Sequence, residues 1–106
     1  MNSEEIHLRL LREVPELGPY FGTELVLGNF GQIAWEQYFV GQQDIARRAF
    51  EYVEWTLVHA PYDLASRALS AVFKGRDWGP EAAAWVGPRT RTELAARDWA
   101  PRQLLG

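Results

Sequence analysis

A chain of 106 residues, 47% of them hydrophobic and 24% charged, is one globular domain with a single core and not a disordered segment. It contains no cysteine, which excludes disulfides, thiolate chemistry and cysteine-based zinc sites and suits the cytoplasm. Its net charge of −3 is uneven: residues 1–60 carry nine acids and four arginines, and residues 61–106 carry five acids and seven Lys/Arg, so an acidic front half argues against direct nucleic-acid binding and favours a basic protein partner.

The N-terminal stretch opens with acids where an export signal would carry Lys or Arg, and no apolar run approaches the roughly 20 residues that span a bilayer. Asn2 or Ser3 is a fit cap for a first helix with Glu4 and Glu5 in its first turn. Ile6, Leu10, Leu11 and Val14 form its inner stripe, with His7 among them, and Pro15 marks a break or a fresh start. Between Glu16 and Gly31 the signals conflict, because five Gly and Pro residues interrupt an apolar segment; the reading is a short helix over Gly22 to Leu27, then a turn. Ile33 to Val40 suits a helical turn or a short strand, and the lack of strict alternation favours helix.

Gln42 to Ala60 is the clearest helix. Ala46, Ala49, Phe50, Val53 and Leu57 fall on one stripe at 3.6-residue spacing, and Asp44, Arg48 and Glu51 lie opposite. Trp55 also lies on that charged side, so either a second layer of the protein or a partner covers it. Pro61 ends this helix, and Tyr62 to Lys74 forms a broadly apolar helix with Gly75 as its C′ residue. A GRDWGP loop leads to a short helix started by Pro80 and ended at Gly87. Pro88 then starts the last helix, on which Arg89, Glu93 and Arg97 form an i,i+4 ladder. Residues 99–106 read as a tail able to dock through Trp99 or Leu104. The expected fold is all-α: one domain over residues 1–106, an irregular bundle of about five or six helices.

The residues carry no signature of catalysis. Phosphate-binding glycine loops and nucleophile elbows are missing, and the two histidines, His7 and His59, have no second histidine one turn away. Glu51 and Glu54 sit one turn apart, but Arg47 and Arg48 nearby make them an ordinary charged face. The expectation is no enzyme, no metal and no cofactor. Five tryptophans among 106 residues are a surplus that serves equally as core filling or as interface anchors. Trp35, Tyr38 and Trp55 stand close in sequence to Glu36, Asp44, Glu51 and Glu54, the composition of an interface with aromatic anchors and an acidic rim. The plainer alternative packs Trp35 and Tyr38 in the core and leaves the acids as solvated surface.

Four fragments in order, LLREVPEL (Leu10 to Leu17), AFEYVEWTL (Ala49 to Leu57), LASRALSAVF (Leu64 to Phe73) and WVGPRTRTEL (Trp85 to Leu94), resemble a family of small bacterial helical proteins met near toxin and secretion loci. The Gly87-Pro88 step is the most distinctive of these matches, and Gly18 to Val40 departs from the pattern. The resemblance implies an immunity protein, a cytoplasmic antidote that binds and blocks a cognate toxin. Together with the acidic front half, the expected partner is a basic toxin such as a nuclease, with no membrane or nucleic-acid partner. The rival is an adaptor or structural module acting through protein contacts or as a homo-oligomer.

Overall fold

A computed structural model describes residues 3–13, 27–76 and 78–97. They form five α-helices and one 3₁₀ helix: α1 (Ser3–Glu13), α2 (Leu27–Phe39), α3 (Gln43–His59), α4 (Tyr62–Phe73), η1 (Pro80–Trp85) and α5 (Pro88–Arg97). No strand occurs among the described residues, and the all-α expectation holds.

Helix α3 is the hub. It packs on α1, α2, α4, η1 and α5, while α2 and α4 also pack on each other. The sequence stripe accounts for half of this: Ala46, Ala49, Phe50 and Val53 are fully buried. The other half comes from residues outside that stripe, since Ile45, Tyr52 and Thr56 are buried as well. A helix with neighbours all round needs a wider apolar arc than one lying on a single layer. Buried Thr56 remains satisfied because its hydroxyl donates to its own helix, to the Val53 carbonyl at 2.7 Å.

The core is aromatic at its centre. Phe50 meets Phe73 at 4.7 Å and the edge of Trp78 at 4.8 Å between ring centroids, and Tyr38 meets Trp78 at 5.3 Å. Trp78 sits in the loop expected after α4 and is nonetheless almost fully buried. Its indole N–H donates to the Val72 carbonyl at 2.9 Å, which satisfies its one polar atom there.

Two turns follow the sequence closely. Gly41, between α2 and α3, has φ +97°, and Gly75, beyond the Lys74 cap of α4, has φ +73°. Both are left-handed conformations that a side chain would strain. Between Gly28 and Gly31 the structure departs from the expected turn, for this stretch is helical and part of α2. Gly31 serves proximity: a Cβ there would lie 1.7 Å from the Ala71 carbonyl oxygen of α4. The glycine lets two helix backbones approach, and the sequence signal for a turn was a signal for packing.

Ile33 to Phe39 is helical, as the missing alternation suggested. Of the first helix's expected stripe, Leu10 is fully buried; the side chains of Ile6, His7 and Leu11, and the whole of Val14, lie outside the described residues. So do the capping role of Asn2, residues 22–26 of the short helix expected over Gly22 to Leu27, and the tail at 99–106. No described helix is long and apolar enough to cross a membrane.

Candidate protein-binding surface

The seven residues expected at an interface separate into different surroundings. Tyr38 is only 6% exposed. Its hydroxyl donates to Glu81 Oε1, and its ring also meets the edges of Phe39 and Trp85 at 5.1 and 6.1 Å. Burial first, then the hydrogen bond to and the charge of Glu81, push its phenol up to about 12.

Glu54 is also committed to the fold. Its Oε1 accepts from the Thr90 amide and the Thr90 hydroxyl, both at 2.9 Å, and its Oε2 accepts from the Arg89 amide at 3.2 Å. It therefore caps the first turn of α5 from another helix, with a negative charge where the helix dipole is positive. Glu51, one turn earlier, pairs with Arg47, so each glutamate is engaged by a different partner.

Trp55 is half-buried beneath α1. The Arg9 guanidinium lies 4.5 Å from its ring, Tyr52 stacks parallel to it at 6.3 Å, and His59 lies 5.2 Å away. A second layer of the protein covers the ring. Arg9 Nε also lies 3.0 Å from Glu13 Oε1, as an ion pair without hydrogen-bond alignment.

Trp35, half-buried on α2, meets the edge of Phe39 at 5.0 Å and has the Arg76 guanidinium 5.9 Å from its ring. Its indole N–H is shielded from solvent and has no acceptor among the described residues. Neighbouring Glu36 is exposed and accepts from Gln32 Nε2 at 2.7 Å.

Asp44 and Glu51 are exposed, but arginines offset them. Arg47 pairs with both, at 3.0 Å to Glu51, and Arg48 pairs with Asp44 at 2.9 Å. Two acids and two arginines sum to zero, so this face of α3 does not present the negative potential that the acids alone suggest. Surface pairs of this kind are worth a few tenths of a kcal/mol, roughly, so their partners exchange readily.

Two residues outside that set are better placed. Phe39 and Val40, at the end of α2, are 61% and 71% exposed. They are adjacent in chain, unlike the other exposed large apolar residues among those described, Leu8, Val58 and Tyr62, which stand singly on α1, α3 and α4. The helical register explains them. Among the described side chains of α2, Gly31, Ala34 and Tyr38 are the buried positions, so Phe39 turns about 100° away from the core and Val40 falls in the turn that Gly41 closes.

Beside them opens a cleft of about 510 Å³ between the α2–α3 turn and η1. Tyr38, Phe39 and Gln43 line one side, and Trp78 through Glu81 line the other. Glu81 is exposed, its carboxyl held below the usual range by the Tyr38 hydroxyl and by its own backbone N–H. Gln43 Nε2 also approaches Oε1 at 3.4 Å.

Sequence reading missed Phe39, Val40 and Glu81. The spacing of Gly31, Ala34 and Tyr38 signalled the first two, but nothing local to Glu81 showed that a tyrosine 43 positions earlier would hold it.

No known protein family, curated protein or solved structure matches the chain.

Proposed function

We propose that this chain is a protein-binding module acting as an immunity protein, which occludes a cognate bacterial toxin with the face built around the α2–α3 turn. One observation carries this reading: two adjacent apolar side chains, Phe39 and Val40, stand in solvent on a turn that a glycine fixes. Burying such a pair against a partner gains on the order of 3 kcal/mol from the two side chains together. Aromatic anchors at the centre of a contact with polar groups round them are the usual energetic pattern of an interface. Glu81 lines the cleft that Phe39 borders, and Glu36 and Asp44 are exposed within four residues of the pair along the chain. The toxin as partner follows from the resemblance of the four sequence fragments. These anchors differ from the expected ones; Tyr38 is buried and Trp55 is half-buried under Arg9 of α1.

The test is binding to the toxin encoded beside this chain, by calorimetry, with Phe39→Ser and Val40→Ser introduced together. The expected result is a loss of affinity of about 100-fold with the helical circular dichroism intact. Unchanged affinity removes this face from the reading. The rival reading places a second copy of the chain on the same face. A concentration-dependent mass in sedimentation that the double variant abolishes, with no binding of the toxin, would replace the immunity reading with a homodimer.

A further inference from the structure

The cleft beside Phe39 contains one formal charge, and it is negative: among the residues lining it, Glu81 alone is ionised at neutral pH. Asp44, Glu51, Glu13 and Glu93 each have an arginine partner, whereas no described cation pairs with Glu81. Its hydrogen bonds come from neutral donors, the Tyr38 hydroxyl and Gln43 Nε2, so its charge is oriented but not neutralised. Tyr38 itself is held by burial and by edge contacts to Trp78 and Trp85. The carboxylate is therefore preorganised, which spares a ligand the cost of ordering it. At the mouth, the exposed Phe39 ring and Pro80 offer apolar walls.

A fixed carboxylate beside an open aromatic face is complementary to a cation on an apolar stem, which takes both the charge and the ring. We infer that the cleft receives a basic side chain, arginine or lysine, of the protein partner, with Glu81 as its counter-ion and Phe39 as its cover. This rests on the protein-binding reading of the same face and names the chemistry of what docks there. It makes Glu81 a specificity residue: a neutral or acidic residue in its place would leave Glu81 unpaired under a desolvating contact.

Amide shifts of the full chain, followed by NMR during titration with the capped tripeptides acetyl-Gly-Arg-Gly-amide, acetyl-Gly-Lys-Gly-amide and acetyl-Gly-Gln-Gly-amide, test this. The expected result is saturable shifts at Gln43, Gly79 and Glu81 with the two cationic peptides and none with the glutamine peptide. Comparison of the arginine and lysine arms gives the preferred cation. Glu81→Gln, which keeps the shape and an acceptor for Tyr38, is expected to weaken binding at least tenfold. If that variant does not fold, salt decides on the native chain, since raising NaCl to about 0.5 M must weaken a surface charge contact. Equal shifts with the glutamine peptide, no saturable shift at these amides, or salt-independent binding would overturn the inference. A null peptide result alongside a damaging Phe39/Val40 double variant removes the cation site and leaves the binding module. The converse leaves the cation site and removes toxin occlusion by this face.

Discussion

Glu54 on α3 and Thr90 on α5 are joined twice, since one carboxylate oxygen accepts both the amide and the hydroxyl of Thr90 at 2.9 Å. This ties the last helix to the hub and occupies the space beside Gly87, where a Cβ would lie 2.3 Å from the same oxygen. Glu54→Ala is expected to cost about 1–2 kcal/mol, the usual value of a lost helix cap. For a domain of this size that lowers the melting temperature by roughly 4–16 °C. Gly87→Ala should also destabilise, and should cost less in the Glu54→Ala background, because the atom it displaces is gone. Additive losses in that double-mutant cycle would show that the two sites are not coupled.

Gly31 predicts a larger effect. A methyl group there meets the α4 backbone at Ala71, at 1.7 Å from the carbonyl oxygen and 2.3 Å from its carbon, so no side-chain rotation relieves it. Gly31→Ala must part α2 from α4 and is expected to cost about 3 kcal/mol, measured by urea unfolding. Ordinary helix propensity works the other way, since alanine favours a helix by about 1 kcal/mol over glycine. A stabilised variant would mean that the helices do not cross this closely.

The tryptophans should separate cleanly. Trp78→Phe removes a buried indole that donates to Val72 and orphans that carbonyl, at an expected cost of about 2–3 kcal/mol. Trp35→Phe removes an indole N–H that is shielded and has no acceptor among the described residues. Relief of that unmade hydrogen bond offsets the lost area, and the change should stay within about 0.5 kcal/mol. Thermal melts of the two variants side by side check the difference.

Alkaline pH gives a fourth expectation. The folded state raises the Tyr38 phenol from 10.0 to about 12, chiefly by burial and then through Glu81. Burial raises Tyr52 as well. A group whose folded value is raised stabilises fully below its unfolded value, and the contribution is lost as pH climbs through the folded one. Stability should therefore hold up to pH 10 and fall between pH 10 and 12. Phenolate absorbance should show these tyrosines ionising late or together with unfolding, and Tyr38→Phe should reduce the decline.

The class of fold and the place of most described helices follow from the sequence. Pro61, Pro80, Pro88, Gly41 and Gly75 punctuate the chain where proline φ and glycine left-handedness demand it, and the apolar spacing of α3 and α4 is plain. These are local signals carried within one or two turns of chain. Which side chains would be free to meet a partner was not local. Arginines one turn away, legible in the sequence, offset two of the acids of α3, but only the fold brings Thr90, 36 positions later, to engage the third. Trp55 became half-buried when α1 crossed it, Gly31 became a helix-crossing point, and Glu81 acquired its orientation from Tyr38. Periodicity sets which face of a helix is apolar. Exposure and net potential depend on which distant elements pack against it, and only the tertiary structure decides that.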